Sequence, residues 1–539
     1  MTVLLTENLP LLAGAPNGIK KLRELILELA VRGKLLPQDL SDEPASVLLK
    51  RISEEKAILL SEGKIRKQKD LGDIAGPLIN FPVPQGWAVT TIGEAMICRD
   101  GERIPVSQAE REGREKIYDY YGASGVIDKI DGYLFDKPLL LVGEDGANLI
   151  NRSTPIAFIA RGSYWVNNHA HVLDGINEQF LRYVELYFNA IDLKPYVTGT
   201  AQPKMNQAKM NGIPLPLPPE REQLRIVAKV VELMALCDRL EAQQANAESA
   251  HARLVQELLD SLNQASDATD FATSWQRLAE HFHTLFTTEH SIDTLKQTLL
   301  QLAVMGKLAP QDISEDSPNF HSFGTEAPKL ADEKIALYSI PSQWRWIKLC
   351  DLLEEGRDIS YGVIKLGTEP KQGGVPTLRC SDVKPGYIDL RGVRRVAHDI
   401  EQDYVRTRLR GGEILINIRG TLGGVAVVDK KLVGYNVARE VAVVPLNPEL
   451  NAQYLSIAMQ SSYFWRRINQ QLRGIAYKGL NLGALRLFPI PIPPVAEQHR
   501  IVTKIDQLMA LCDQLKTRLT QARQLNEQLA STLVEQAVA

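Results

Sequence analysis

The chain has 539 residues, of which 44% are hydrophobic and 24% are charged, and its formal net charge is −3. This length is too great for one hydrophobic core and predicts about three to five compact parts of roughly 100–200 residues each. The balanced charge argues against a protein that coats nucleic acid indiscriminately. No apolar run approaches the roughly 20 residues of a membrane-spanning helix, and the first residues carry no export signal. Five scattered cysteines without metal-ligand spacing predict a reducing, cytoplasmic location.

Residues 1–80 are predicted to form an N-terminal helical region. Residues 17–32 place apolar side chains at helical spacing and end at Gly33. A second helix is expected to start at Pro44, which follows acidic residues suited to a first turn. Residues 29–39 read LAVRGKLLPQD, and this segment recurs later in the chain.

Residues 81–218 have the composition of a mixed domain. They open with FPVPQGW and continue with short β-branched or aromatic runs separated by Gly, Asp and Asn. One such run is KPLLLVG at residues 137–143, and residues 180–188 have helical spacing. This pattern predicts a compact α+β domain.

A central helical spacer, residues 219–312, follows alternating prolines that we expect to continue neither a strand nor a helix. Its first helix should run to about residue 262, a length of about 65 Å. The spacer ends in LAVMGKLAPQD, which repeats residues 29–39 at an offset of 273. Residues 313–339 form a polar linker. The predicted heptad seam of the helix consists of Val230, Leu233, Cys237, Leu240, Leu254 and Leu258.

Residues 340–493 form a second mixed domain, which opens with IPSQWRW and contains GEILINI at residues 412–418. PIPIPPVAEQHRIVTKIDQLMALCDQLK at residues 489–516 repeats residues 214–241 at an offset of 275. The chain is therefore a tandem duplication, and we expect the two equivalent seams to pack on each other. The C-terminal long helix, residues 494–539, has the predicted seam Ile505, Leu508, Cys512, Leu515, Leu519, Leu529 and Leu533.

Basic residues are distributed unevenly between the two mixed domains. Residues 340–493 contain 22 Lys and Arg against 14 Asp and Glu, a balance of +8. Residues 81–218 contain 13 against 16, a balance of −3. The second domain could bind phosphate through its bulk charge, whereas the first would need a local basic patch.

Catalytic and cofactor motifs are missing from the sequence. There is no phosphate-binding Gly-x-x-x-x-Gly-Lys-Ser/Thr, no glycine-rich cofactor loop after a strand, and no Asn-Pro-Pro-aromatic tetrad. His169 and His171 fall on one face of a strand without a third ligand nearby, so no metal site is predicted. Asp332 and Glu333 lie in the linker and do not indicate a nuclease. We therefore expect a chain that is not an enzyme and binds no cofactor.

Two mixed domains, each introduced by Pro-x-x-Trp and followed by P-x-P-x-P-P-x-x-x-Q-x-R-I-V and a long helix, resemble a type I restriction-modification specificity subunit. The resemblance covers essentially the whole chain. It implies two target-recognition domains, separated by long antiparallel coiled-coil helices with pseudo-two-fold symmetry, each reading half of a split, asymmetric DNA target. It also implies docking of two methyltransferase subunits, with restriction (translocase-nuclease) subunits completing the enzyme. S-adenosylmethionine, ATP and Mg would bind those partners.

Candidate DNA contacts are basic or polar residues near glycine-rich or irregular segments, because Arg reads guanine and Lys or Arg neutralises phosphate. In the first domain they are Arg103, Arg152, Asn168, His169, Lys204 and Lys209. In the second they are Lys365, Lys371, Arg379, Arg394, Arg395, Arg419, Arg439 and Lys478. Two alternatives stay open: a coiled-coil adaptor that binds other proteins, and a regulator that binds DNA without partners. The sequence does not define the target or its spacer.

Overall fold

The computed structural model describes residues 9–65, 79, 81–199, 202–319, 338–471 and 479–538. Its α-helices are α1 (Leu9–Gly14), α2 (Gly18–Val31), α3 (Ala45–Ser61), α4 (Ile92–Ala95), α5 (Gln108–Glu112), α6 (Asn148–Asn151), α7 (Glu178–Ala190), α8 (Gln207–Asn211), α9 (Glu220–Gln264), α10 (Ala268–Glu280), α11 (Phe282–Leu285), α12 (Glu289–Val304), α13 (His398–Glu401), α14 (Ala452–Gln460), α15 (Ser462–Gln471), α16 (Leu482–Arg486) and α17 (Val495–Val538). None of the described helices is both long and apolar enough to cross a membrane.

The β-strands are short and fall in the two mixed domains. They are β1 (Ala88–Thr91), β2 (Ile97–Cys98), β3 (Tyr118–Gly122), β4 (Gly125–Ile130), β5 (Leu139–Gly143), β6 (Ala157–Ala160), β7 (Tyr164–Val166), β8 (Ala170–Asp174), β9 (Pro214–Leu217), β10 (Arg345–Lys348), β11 (Ser360–Tyr361), β12 (Val375–Leu378), β13 (Val383–Lys384), β14 (Tyr387–Ile388), β15 (Arg394–Val396), β16 (Ile414–Asn417), β17 (Val425–Val427), β18 (Asn436–Val437), β19 (Val441–Val444) and β20 (Pro489–Ile492). Helices and strands thus share each domain, which confirms the α+β class.

The chain divides into two compact units. Unit 1 comprises residues 1–246 and 522–539, and unit 2 comprises residues 247–521. Each unit therefore contains one mixed domain and one end of each long helix, α9 and α17. The antiparallel packing of these helices on each other and the pseudo-two-fold symmetry stay predictions.

The sheets have the same topology in both units. Unit 1 has a four-stranded antiparallel sheet β2-β8-β5-β6, a three-stranded sheet β4-β3-β7 and a pair β1-β9. Unit 2 has the corresponding sheets β11-β19-β16-β17, β15-β12-β18 and β10-β20, together with a hairpin β13-β14. In both three-stranded sheets the central strand pairs antiparallel on one side and parallel on the other. The duplication predicted from the flanking repeats therefore extends to domains whose sequences are unlike.

The alternating prolines form strands, contrary to the prediction that they continue none. In β9, Pro214 and Pro216 alternate with residues that face β1, so the missing N–H groups lie on the unpaired side. The carbonyls on that side are satisfied by helix α7, because the hydroxyl of Tyr183 donates to Pro216 O (2.6 Å) and that of Tyr187 donates to Pro214 O. In unit 2, Tyr454 donates to Pro491 O in the same way (2.7 Å).

A repeated set of contacts, which we call the scaffold, joins each mixed domain to its long helix. The indole nitrogens of Trp87 and Trp344 donate to the carboxylates of Glu222 and Glu497, both at 2.9 Å. Burial raises the pKa of both carboxyl groups. Gly33 has φ +68°, and a Cβ there would lie 2.4 Å from Pro84; Gly306 meets Pro341 in the same way. The glycine present in both copies of LAVxGKL therefore lets this segment approach the Pro-x-x-Trp motif.

The long helices bury most of the predicted heptad seam but depart from it at Leu254 and Leu529. After Cys237 and Cys512, burial resumes at Val255 and Ala530, both 18 residues later (255 − 237 and 530 − 512). Eighteen residues make five turns at 3.6 residues per turn, whereas a heptad seam has a period of 3.5. The predicted seam residues Leu254 and Leu529 are instead 52% and 44% exposed. The remaining predicted seam residues, all buried or partly buried against the two core clusters, are Val230, Leu233, Cys237, Leu240, Leu258, Ile505, Leu508, Cys512, Leu515, Leu519 and Leu533.

Candidate nucleic-acid interface

In unit 2, four connecting segments meet at one end of the β11-β19-β16-β17 sheet. Three of them follow β11, join β16 to β17 and precede β19, and antiparallel pairing brings these three together. The fourth follows β12 of the neighbouring sheet and is joined to them by the amide of Asn417, which donates to Cys380 O. Backbone hydrogen bonds hold them, including Val363 N to Val437 O and Ile418 N to Glu440 O, both 2.8 Å. We call this end edge 2, defined as residues 362–365, 379–382, 418–424 and 438–440.

Edge 2 carries exposed cations on a rigid backbone. Lys365, Arg419 and Arg439 are all exposed, and the side chains of Lys365 and Arg419 contact no partner within the described part of the chain. The turn beneath Arg419 is fixed by the amide of Asn417, which donates to Cys380 O (3.0 Å), Val383 O (3.1 Å) and Thr421 O (3.1 Å). Exposed guanidinium groups on a fixed turn are suited to base edges and phosphates.

The corresponding end of the β2-β8-β5-β6 sheet in unit 1 is edge 1, defined as residues 99–103, 122–124, 144–146 and 167–169. Its backbone bonds repeat those of edge 2. Glu144 N donates to His169 O (2.9 Å), as Ile418 N does to Glu440 O. Met205 N donates to Glu144 O (2.8 Å), as Leu480 N does to Ile418 O.

This correspondence places Asp145 where edge 2 has Arg419, Asn168 where it has Arg439, and His169 where it has Glu440. Asp145 Oδ2 lies 2.7 Å from His169 Nδ1. The side chain of His169 is half exposed, and that of Asp145 is mostly buried. Edge 1 therefore presents a polar dyad where edge 2 presents an arginine.

A buried charged cluster lies beneath edge 1. His171 Nδ1 is 2.6 Å from Asp100 Oδ2, and its Nε2 is 2.8 Å from the carbonyl oxygen of Met205. Both ring nitrogens therefore face hydrogen-bond acceptors. Arg103 donates to Glu144 Oε2 (2.8 Å), and the ammonium of Lys204 lies 3.2 Å from Glu144 Oε1.

The carboxylates of the cluster are paired with basic side chains of the same cluster. Burial alone would raise the pKa of Asp100 and of Glu144, but His171 and Arg103 lower the pKa of each carboxyl below its usual range. Asp100, Glu144 and His171 offer ligand atoms within 4.8 Å of one another, yet Arg103 and the Met205 carbonyl already engage these groups. The donor set thus fits a satisfied ion network better than a metal site.

Comparison with known proteins identifies the family. The family model described as "Type I restriction modification DNA specificity domain" matches residues 84–248 and 341–523. The chain belongs to this family. It is a DNA-sequence-specificity subunit of a type I restriction-modification system.

Relatives match this specificity subunit over nearly its whole length. The type I restriction enzyme EcoAI specificity subunit of Escherichia coli is 32% identical, over 97% of this chain and 94% of that protein. The EcoEI specificity subunit of Escherichia coli is 31% identical, with the same coverage. Among solved structures, the HsdS subunit from Thermoanaerobacter tengcongensis is 16% identical with a TM-score of 0.41, over 85% of this chain and 98% of that one.

The predicted DNA contacts of the specificity subunit divide into exposed and internally bonded groups. Arg103 belongs to the buried cluster, and Arg152 donates to Phe188 O (3.1 Å) and Ile191 O (2.6 Å) at the end of α7. Burial lowers the pKa of Arg152. DNA contact by either residue stays a prediction that would require these internal bonds to break. Lys204, Lys209 and Asn168 are exposed.

Several predicted residues of the second domain donate hydrogen bonds to the backbone of neighbouring loops. Arg394 donates to Gly367 O (2.7 Å) and Arg395 to Gly374 O (2.9 Å), which holds the loop that bears the exposed Lys371. Arg379 donates to Gly392 O (3.0 Å) and also contacts Asp382. Lys478 lies outside the described residues.

Sequence reasoning missed two residues of the specificity subunit's edges. Asp145 was missed because only basic and amide groups were considered as base contacts, and its pairing with His169 depends on the sheet. Asn417 had a visible signal, since it interrupts the apolar run GEILINI. A polar side chain within a buried strand usually has a hydrogen-bonding role.

Proposed function

We propose that each unit of the specificity subunit reads one half of a bipartite, asymmetric DNA target, edge 1 in one half-site and edge 2 in the other. The observation that carries this proposal is an identical scaffold that supports chemically unlike edges. Two readers of different sequences need different side chains toward the bases but the same way of holding them.

Two methyltransferase subunits would dock on the specificity subunit, one at each copy of the repeat. The ion pairs of the scaffold recur: Arg225 with Asp42 and Arg500 with Glu315, each with a closest contact of 2.5 Å. A surface that is repeated in one chain is suited to bind the same partner twice. Restriction subunits would complete the complex, and S-adenosylmethionine, ATP and Mg would bind these partners.

Catalysis is assigned to the partners, and the complex is assigned to the cytoplasm, in keeping with five free thiols. The purified chain alone should transfer no methyl group from S-adenosylmethionine to DNA and should not cleave it. Methyl transfer above a control without protein would overturn this assignment.

Domain exchange tests the reading of half-sites. Residues 81–218 or 340–493 would be replaced by the corresponding residues of the EcoAI specificity subunit, and adenine methylation would be mapped by single-molecule sequencing. Each exchange should change one half of the methylated sequence and leave the other half unchanged. A single exchange that alters both halves would contradict independent reading.

The long helices would set the distance between half-sites. Seven residues inserted into α9 after Leu240 would lengthen it by about 10 Å, roughly three base pairs of duplex DNA. The insertion should change the preferred spacer and leave both half-site sequences unchanged. If the variant folds, binds its partners and keeps the original spacer, the spacing arises in the methyltransferase subunits instead.

A further inference from the structure

Edges 1 and 2 present opposite hydrogen-bonding chemistry at equivalent backbone positions. Arg419 of edge 2 follows Ile418, whose N–H donates to Glu440 O and whose carbonyl oxygen accepts from Leu480 N. Asp145 of edge 1 follows Glu144, whose N–H donates to His169 O and whose carbonyl oxygen accepts from Met205 N. The backbones match, so a duplex that approached each edge in the same way would meet an arginine at one and an Asp–His dyad at the other.

The dyad at edge 1 is oriented by its own contacts. An ionised carboxylate has only lone pairs to offer, so the hydrogen of the His169–Asp145 bond (2.7 Å) resides on Nδ1. In the neutral ring this leaves Nε2 as an acceptor on a side chain that is 50% exposed. The backbone at His169 is also held, because its N–H donates to Asn167 Oδ1 (2.8 Å).

Arg419 at edge 2 offers only donors. Its guanidinium has no side-chain or backbone partner within the described residues, and its turn is held by Asn417. In the major groove, guanine presents the acceptors O6 and N7, whereas adenine and cytosine present amino groups. The two edges thus match different bases.

We infer that the two half-sites differ at the base pair that meets these equivalent positions. Arg419 donates to guanine in the half-site read by unit 2. His169, oriented by Asp145, accepts from the exocyclic amino group of adenine or cytosine in the half-site read by unit 1. This inference rests on the proposed function, because it requires that each edge faces one half-site.

The test uses the complex of this chain with its methyltransferase subunits and a pool of duplexes randomised in both half-sites. Bound duplexes are sequenced, and discrimination at each base pair is calculated. Arg419→Ala should lower the discrimination for guanine at one position roughly 5- to 150-fold, as expected for one bidentate pair, and leave the other half-site unchanged. Arg410→Ala is the matched control, since Arg410 is exposed at the opposite end of the same strand, β16.

Two variants test the dyad. His169→Leu should remove the preference for an amino-bearing base at one position of the other half-site, and the half-exposed site should tolerate the change. Asp145→Asn supplies an amide that can donate to Nδ1, so the hydrogen can move to Nε2 and the preference should shift toward guanine. Asp136→Asn, an exposed residue before β5 at the opposite end of the sheet, is the control.

The outcomes separate this inference from the proposed function. If the wild-type complex selects a bipartite sequence but the Arg419 and His169 variants select the same sequence, the inference is wrong and the proposed function stands. A relaxed position that held no guanine for Arg419, or no adenine or cytosine for His169, also overturns it. If the wild-type complex selects no sequence, both fail.

Discussion

Edges 1 and 2 lie on two sheets of the same topology, but the side chains packed beneath them differ. In unit 1, His171 lies opposite Val142. At the equivalent position of unit 2, Ala442 lies opposite Ile416, and Ala442 and Ile416 are fully buried. Edge 1 thus rests on an ion network, and edge 2 rests on an apolar layer stiffened by Asn417. The same backbone can support either solution, because strand pairing satisfies the main chain regardless of which side chains point inward.

The two units agree closely in the scaffold and differ at the edges. Contacts of the scaffold recur almost atom for atom, from the Trp–Glu bond to the Tyr hydroxyl on the proline strand. The edges share backbone hydrogen bonds and little else. Under the proposed function, specificity could diverge at the edges without loss of the contacts that recur in the scaffold.

The largest loss of stability is expected from a substitution in the ion network beneath edge 1, which edge 2 lacks. His171→Leu would leave Asp100 buried without its main partner, which should lower the free energy of unfolding by about 3–5 kcal/mol. Urea unfolding at pH 7 would measure the loss, and adding Asp100→Asn should recover part of it. His283→Leu, an exposed histidine, is the control and should change stability by less than about 0.5 kcal/mol. A loss below about 1 kcal/mol for His171→Leu would contradict the ion network.

The shared scaffold should respond equally in both units. Trp87→Phe and Trp344→Phe each remove the donor to a buried glutamate while keeping most of the ring volume. Each should cost about 1–3 kcal/mol in the free energy of unfolding. Chemical denaturation of the two variants under identical conditions checks this. Losses that differ by more than about 2 kcal/mol would show that the scaffold is not equivalent in the two units.

A smaller effect should be confined to edge 2. Asn417→Ala removes an amide whose two hydrogens are shared among three carbonyl oxygens, and the equivalent position of edge 1 is Gly143, so unit 1 has no counterpart. We expect a loss of about 1–2 kcal/mol and relaxed preference in one half-site only. Asn447→Ala, at the opposite end of the domain, should leave both half-sites unchanged. Relaxation of both half-sites would argue against separate edges.

The smallest effect depends on pH. Burial raises the pKa of Glu222, so its contribution to stability is fully present below the unfolded pKa, about 4.3, and is lost as pH rises through the folded pKa. Glu222→Gln keeps an acceptor for Trp87 and cannot ionise. The variant should match the wild type at pH 4 and exceed it by up to about 1 kcal/mol at pH 8. Melting temperatures across this range would show it, and a variant that is less stable at pH 8 would contradict it.

Local sequence patterns were enough to predict the duplication, the helices and the α+β class. Repeated segments such as LAVxGKL reveal equivalence directly, and long periodic segments such as α9 and α17 are set by local spacing. The buried strand β16 was visible as the apolar run GEILINI.

Three features depend on non-local packing and were not predicted from the sequence. They are the strand that contains alternating prolines, the exposure of Leu254 and Leu529 on the long helices, and the residues that meet at each edge. Pro214 and Pro216 fit a strand only because β1 lies on one side and tyrosine hydroxyls lie on the other. Leu254 is exposed because the helix keeps its own 3.6-residue period. Asp145 and His169 are 24 residues apart in the sequence, and they meet only because β5 ends beside the start of the antiparallel strand β8. Such pairings depend on non-local strand register, which the local pattern of a sequence does not encode.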